Sequence, residues 1–61
     1  MYCVQFCYDN SHSVVAIFND KGLAIEYALF KKRTIKETEF FDKPCAIEVL
    51  NGDSQILRLL V

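Results

Sequence analysis

The chain has 61 residues, 52% of them hydrophobic and 13% aromatic, and its seven basic and eight acidic residues leave a net charge of −1. This length allows one domain, spanning residues 1–61, and the balanced charge excludes a histone-like DNA binder and a strongly acidic mimic of nucleic acid. Small proteins need proportionally more polar surface, so the apolar surplus predicts burial against a second chain. A homodimer is the simplest such arrangement.

Hydropathy and cysteine content bear on the compartment. No apolar run approaches the 18 residues of a membrane-spanning helix, and no cationic leader precedes an apolar run and a cleavage site. Three cysteines, an odd number, fit free thiols in a reducing compartment. We therefore expect a soluble cytoplasmic protein with no membrane partner.

The first predicted element is a β-hairpin. Residues 2–8, YCVQFCY, alternate between two faces, one carrying Tyr2, Val4, Phe6 and Tyr8 and the other Cys3, Gln5 and Cys7. The next five residues, DNSHS, are turn formers that reverse the chain. Residues 14–18, VVAIF, form a continuous apolar run typical of a central strand covered on both faces.

A helix follows, with Asn19 or Asp20 as its N-cap. Its large apolar side chains fall on two stripes, the first with Leu23, Tyr27 and Phe30 and the second with Ile25 and Leu29. An ordinary surface helix has a single apolar stripe, so the second stripe predicts a partner or a curled sheet. Basic residues close the last turn, where they complement the helix dipole.

Beyond the helix, residues 34–41, TIKETEFF, alternate weakly and carry the charges of an edge strand, which Pro44 ends. Residues 45–61 contain Asn51-Gly52, a strong hairpin pattern. A competing interpretation makes residues 44–50 a short helix with Pro44 at its first position. The strand-forming residues AIEVL favour the hairpin.

The register of this last hairpin depends on its loop. A two-residue loop would join Ile47 and Val49 with Ser54, Ile56 and Arg58, whereas a three-residue loop with a bulge joins them with Leu57, Leu59 and Val61. We favour the second register because it makes one face fully apolar and leaves Glu48 and Arg58 together on the other face. The predicted fold is α+β, in the order β-β-α-β-β-β, with an antiparallel sheet and one helix packed on one face.

Metal and catalytic sites are not expected. Cys3 and Cys7 lie about 13 Å apart in an extended strand, too far to share a zinc ion. His12 is the only histidine, it falls in a predicted turn, and no nucleophile elbow or glycine-rich phosphate loop is present. We therefore predict no metal, no cofactor and no enzymatic activity, and we interpret the thiols as small core hydrophobes.

Two binding surfaces are predicted. The run KKRTIK and nearby rings could bind a small anionic nucleotide, although helix-dipole compensation explains the same basic residues; the candidates are Lys31, Lys32, Arg33, Lys36, Tyr8 and His12. Charges of opposite sign nearby make duplex DNA a poor ligand. An apolar interface between subunits is the second surface, with Ile25, Leu29, Leu57, Leu59 and Val61 as its candidates.

The layout over residues 2–41 resembles small uncharacterised β-β-α-β accessory proteins of bacteriophages and mobile elements. The resemblance rests on a strand ending in Tyr-Asp-Asn, a strand ending in Ile-Phe, a capped helix with AIEYA and a charged third strand. It implies a phage-encoded inhibitor of a host defence system, which binds a host protein or sequesters a nucleotide signal in the host cytoplasm. The alternatives are an interaction module that pairs through its sheet edge and a weak binder of RNA or single-stranded DNA.

Overall fold

The computed structural model describes residues 1–37 and 43–61, excepting the side chains of Lys36 and Glu37. The described elements are the strands β1 (Tyr2–Cys7) and β2 (His12–Phe18), the helix α1 (Lys21–Glu37), and the strands β3 (Ala46–Asn51) and β4 (Ser54–Leu60). The strands form one antiparallel sheet with the helix packed on it, which confirms the α+β class. The described part of the chain includes no helix long and apolar enough to cross a membrane.

The sheet has the strand order β2-β1-β3-β4, so β1 and β3 are central and β2 and β4 are the edges. The prediction that residues 14–18 form a central strand covered on both faces is therefore wrong. Val14 and Ile17 are 51% and 57% exposed. Residues 34–41 were predicted to form an edge strand, but residues 34–37 belong to the helix and residues 38–41 lie outside the described residues.

The C-terminal hairpin places Ile47 and Val49 on the same face as Leu57 and Leu59, as predicted, with Ile47 opposite Leu59 and Val49 opposite Leu57. The loop itself differs from the prediction, because Asn51 pairs with Ser54 and leaves a two-residue turn. Gly52 has a φ of 62°, which suits the first central position of a type II′ turn. The extra residue lies within β4, at a bulge opposite Val49 and Leu50. Residues 46–50 are strand, so the short-helix alternative is excluded.

The helix begins where the sequence predicted. The backbone N–H of Leu23 donates to Oδ1 of Asp20 at 3.1 Å, which makes Asp20 the N-cap. The helix then continues through Glu37, past the predicted start of the third strand at Thr34. Ile35 is buried in the core. Burial of this side chain two residues beyond Arg33 explains why the helical conformation persists there.

The core forms between the helix and one face of the sheet. The sheet contributes the fully buried Val4, Ile47 and Val49, while the helix contributes Ala24 and Ala28, which are also fully buried. The first predicted stripe, with Leu23, Tyr27 and Phe30, does not form a single surface. Its members diverge, because Tyr27 packs on Phe18 with ring centroids 5.4 Å apart, whereas Leu23 and Phe30 are about half exposed. Small alanines allow the helix backbone to lie close to the large side chains of the sheet.

Candidate protein-binding surface

No described helix or strand packs on the sheet face opposite the helix, and we call it the open face. Its central residues Ala46, Gln5 and Glu48 are nevertheless buried. Strand alternation and register place three cross-strand rows on it. These rows are His12, Cys7, Ala46 and Leu60; then Val14, Gln5, Glu48 and Arg58; then Ile17, Cys3, Leu50 and Gln55. The assignment of Cys3, Gln5 and Cys7 to one face, and of Glu48 and Arg58 to the same face, is as predicted.

A polar network occupies the middle of the open face. Gln5 donates from Nε2 to Oε1 of Glu48 at 2.8 Å, and Arg58 donates from a terminal guanidinium nitrogen to Oε2 at 2.7 Å. The Cys7 thiol also hydrogen-bonds this carboxylate. Gln5 and Glu48 are each 8% exposed. The carboxylate therefore accepts from three side chains and is satisfied without any partner.

These contacts shift the pKa values of two groups in opposite directions. The pKa of the Glu48 carboxyl lies below its ordinary value, because donation from Gln5, then Cys7, and the neighbouring Arg58 favour the charged form. Burial, followed by the hydrogen bond to the Glu48 carboxylate, raises the pKa of the Cys7 thiol to about 11. Cys7 is therefore held as a neutral donor at physiological pH and is a poor nucleophile.

Apolar side chains surround this network on both edge strands. Val14 and Ile17 of β2 are 51% and 57% exposed, and Leu60 of β4 is 68% exposed. An antiparallel sheet with one solvated face ordinarily places polar residues on that face. The open face instead exposes these three apolar side chains on its edge strands.

The predicted nucleotide-binding residues are dispersed. Lys31 Nζ lies 5.5 Å from the centre of the Tyr27 ring, and the Arg33 guanidinium lies 5.6 Å from the centre of the Phe30 ring. A rotation of about 100° per residue sets these two positions about 200° apart around the helix. Lys32 is half-buried between them, and the Lys36 side chain is not described. The structure therefore does not gather the basic run into one described patch.

The two ring residues of that prediction lie near the first turn. Tyr8 follows β1, where its N–H donates to the carbonyl of Ser11 at 2.7 Å. His12 is exposed and is the first residue of β2, paired with Cys7, rather than part of the turn as predicted. Nucleotide binding through these residues stays a prediction.

The predicted interface residues also separate into two groups. Leu57, Leu59 and Val61 are partly buried and pack against the core. They therefore serve the internal packing of this chain. On the helix, Ile25 is half-buried and Leu29 is 51% exposed. Of the five candidates, Leu29 offers the most free surface.

The three cysteines are free thiols. Exposed Cys45 donates from its thiol to the Cys7 carbonyl at 3.2 Å, and Cys7 and Cys3 are half-buried on the open face. Within residues 1–37 and 43–61, no group of three or more potential ligands is arranged to hold a metal ion.

Sequence reasoning missed the exposure of β2 and the role of Gln5. The alternation placed Gln5 on the face that Glu48 also occupies, but no local pattern reveals that β1 and β3 are neighbours. That adjacency brings the two side chains, 43 residues apart in sequence, within hydrogen-bonding distance. The predicted adjacency of Glu48 and Arg58 gave no indication that Glu48 would be buried and would need a further donor.

The chain matches no protein-family model. Neither a curated protein nor a solved structure is significantly similar to it.

Proposed function

We propose that this chain is a non-enzymatic binding protein whose open face docks on another protein. The observation that carries the proposal is the exposure of Val14, Ile17 and Leu60 around a polar centre that is already satisfied. Desolvation of an unpaired carboxylate would oppose docking. Because Glu48 has its donors within the chain, a partner can cover the centre of the face and gain from burial of the apolar rim.

The edge strands favour docking on the face over pairing along an edge. The register of β2 against β1 shifts between Val4 and Gln5, and the register of β4 against β3 shifts between Val49 and Leu50. Each shift places a bulge in an edge strand, Val15 in β2 and Ile56 in β4. Bulges interrupt the regular ladder that an added strand needs. Docking on the face is therefore preferred to the edge-pairing alternative.

Arg58 indicates the chemistry of the partner. One guanidinium nitrogen binds Glu48, and the side chain is 45% exposed. Its remaining N–H donors suit a carboxylate, which arginine binds in a bidentate manner. The partner surface should therefore place one aspartate or glutamate among apolar side chains. Following the layout resemblance, the setting that we propose is inhibition of a host defence protein by a phage-encoded protein.

A displayed library of random 12-residue peptides tests this proposal. The immobilised protein should enrich peptides in which an acidic residue is flanked by large apolar residues. Ile17→Glu should lower the affinity of the protein for synthetic copies of these peptides at least roughly tenfold, because it puts a charge on the apolar rim. Binding is measured by fluorescence polarisation with the peptide as the labelled species.

A matched control comes from the helix. Leu23 is 53% exposed against 57% for Ile17, so Leu23→Glu introduces the same charge at the same exposure on the opposite side of the molecule. It should leave peptide affinity unchanged. Arg58→Gln should remove the preference for acidic peptides. Failure to enrich any sequence family, or equal losses for the two glutamate variants, would overturn the proposal.

A further inference from the structure

The outward side of α1 carries an unusual set of side chains. Leu29 and Phe30 are 51% and 49% exposed, and they line a shallow depression together with Glu26 and Arg33. This side lies opposite the buried alanines, Ala24 and Ala28. The sheet does not cover these four residues.

The charges on this side have a spacing that is symmetric about the apolar pair. Glu26 and Arg33 are seven residues apart, which is close to two helical turns, so they share a face about 10.5 Å apart along the axis. That separation is too long for an ion pair within the helix. Among the described residues, neither side chain forms an ion pair, and Arg33 instead lies over the Phe30 ring.

The midpoint between Glu26 and Arg33 falls between Leu29 and Phe30. An antiparallel copy of the helix, related by a two-fold axis through this midpoint, places Glu26 opposite Arg33 of the copy and Arg33 opposite Glu26 of the copy. Leu29 and Phe30 lie on either side of the line through the two charges, about 100° apart around the helix, so the same axis places each of them beside its own counterpart in the copy. One surface therefore complements itself in both charge and apolar contact, as a two-fold interface requires.

We infer that the outer face of α1, formed by Glu26, Leu29, Phe30 and Arg33, is the interface of an antiparallel homodimer. Two helices can approach to 8–10 Å through such side chains, with each sheet on the far side of its own helix. A single helix pair buries less than the roughly 1,200 Å² of a standard interface, so the dimer should be weak. This interface is independent of the open face.

Charge reversal tests the pairing. Glu26→Arg and Arg33→Glu each turn two attractive contacts per dimer into repulsive ones, so each should weaken dimerisation by roughly tenfold or more. The double variant Glu26→Arg/Arg33→Glu restores opposite charges across the axis and should dimerise like the unaltered chain. Lys32→Glu, on the adjacent flank of the helix, is the matched control and should weaken dimerisation less than either single charge reversal. Sedimentation velocity across micromolar to millimolar concentrations measures all four.

Mixing provides the sharpest test. The Glu26→Arg chain carries two arginines at these positions and the Arg33→Glu chain carries two glutamates, so an equimolar mixture should form a heterodimer tighter than either variant alone. Circular dichroism establishes that the variants are folded. A monomeric unaltered chain at millimolar concentration, or a mixture that stays monomeric while the unaltered chain dimerises, would overturn the inference. Because Ile17→Glu leaves this helix intact, loss of peptide binding and loss of dimerisation are separable.

Discussion

The two faces of the sheet bury comparable positions by different means. On the helix side, Val4, Ile47 and Val49 are fully enclosed by apolar neighbours. On the open face, Gln5 and Glu48 of the same two strands are 8% exposed, but they are joined to each other and to Arg58 by hydrogen bonds. The helix side of the sheet therefore stabilises the fold through packing. The open face combines a hydrogen-bonded polar centre with an exposed apolar rim, on which we propose that another protein docks.

The largest expected loss of stability comes from a substitution that removes packing on the helix side of the sheet. Ile47→Ala should lower the free energy of unfolding by about 2–5 kcal/mol, because it deletes fully buried methyl groups and leaves a cavity. A domain of this size has a total stability of only several kcal/mol, so the variant should be largely unfolded at moderate temperature. Urea denaturation followed by circular dichroism measures the loss. A loss below about 1 kcal/mol would show that the core is not where the contacts place it.

A smaller effect is expected from the polar centre of the open face. Glu48→Gln should cost about 1–3 kcal/mol at neutral pH, since it removes a charge that accepts from Arg58, Gln5 and Cys7. The pKa of Glu48 is lower in the folded state, so its contribution is present above the unfolded pKa and is lost as pH falls through the folded pKa. The free energies of unfolding of the unaltered chain and of Glu48→Gln should therefore converge as the pH is lowered from neutral to acidic. A constant gap at all pH values would contradict this account.

The smallest effect should come from the rim of the open face. Ile17→Ala makes the same substitution as Ile47→Ala, but Ile17 is 57% exposed on an edge strand. The free energy of unfolding should change by less than about 1 kcal/mol. The same urea titration serves for both variants. Losses of equal size at the two isoleucines would remove the distinction between the faces.

Sequence patterns predicted the local features of this fold well. Alternation in residues 2–8, the Asp20 cap and the final hairpin each depend on contacts between near neighbours in the chain. The positions that were wrong depend on distant partners. Residues 14–18 look like a buried strand because exposed Val14 and Ile17 cannot be distinguished from core residues by type.

In the helix, too, the buried positions depend on residues that are distant in the sequence. Ala24 and Ala28 fill the space that faces the sheet, whereas Leu23 and Phe30 of the first predicted stripe are about half exposed. Which residues fill that space depends on the volumes of Val4, Ile47 and Val49, set by strands far away in sequence. The adjacency of Glu48 and Arg58 could be predicted from one hairpin, whereas the donation from Gln5 needed the pairing of β1 with β3.

The helix and the open face lie on opposite sides of the sheet, and this arrangement limits the valency of the protein. Two copies joined through their helices would display their open sheets back to back, pointing away from each other. One compact target could not contact both sheets at once, so dimerisation would add no avidity towards a soluble monomer. It would add avidity towards targets that are themselves paired or arrayed, where the dimer acts as a cross-link.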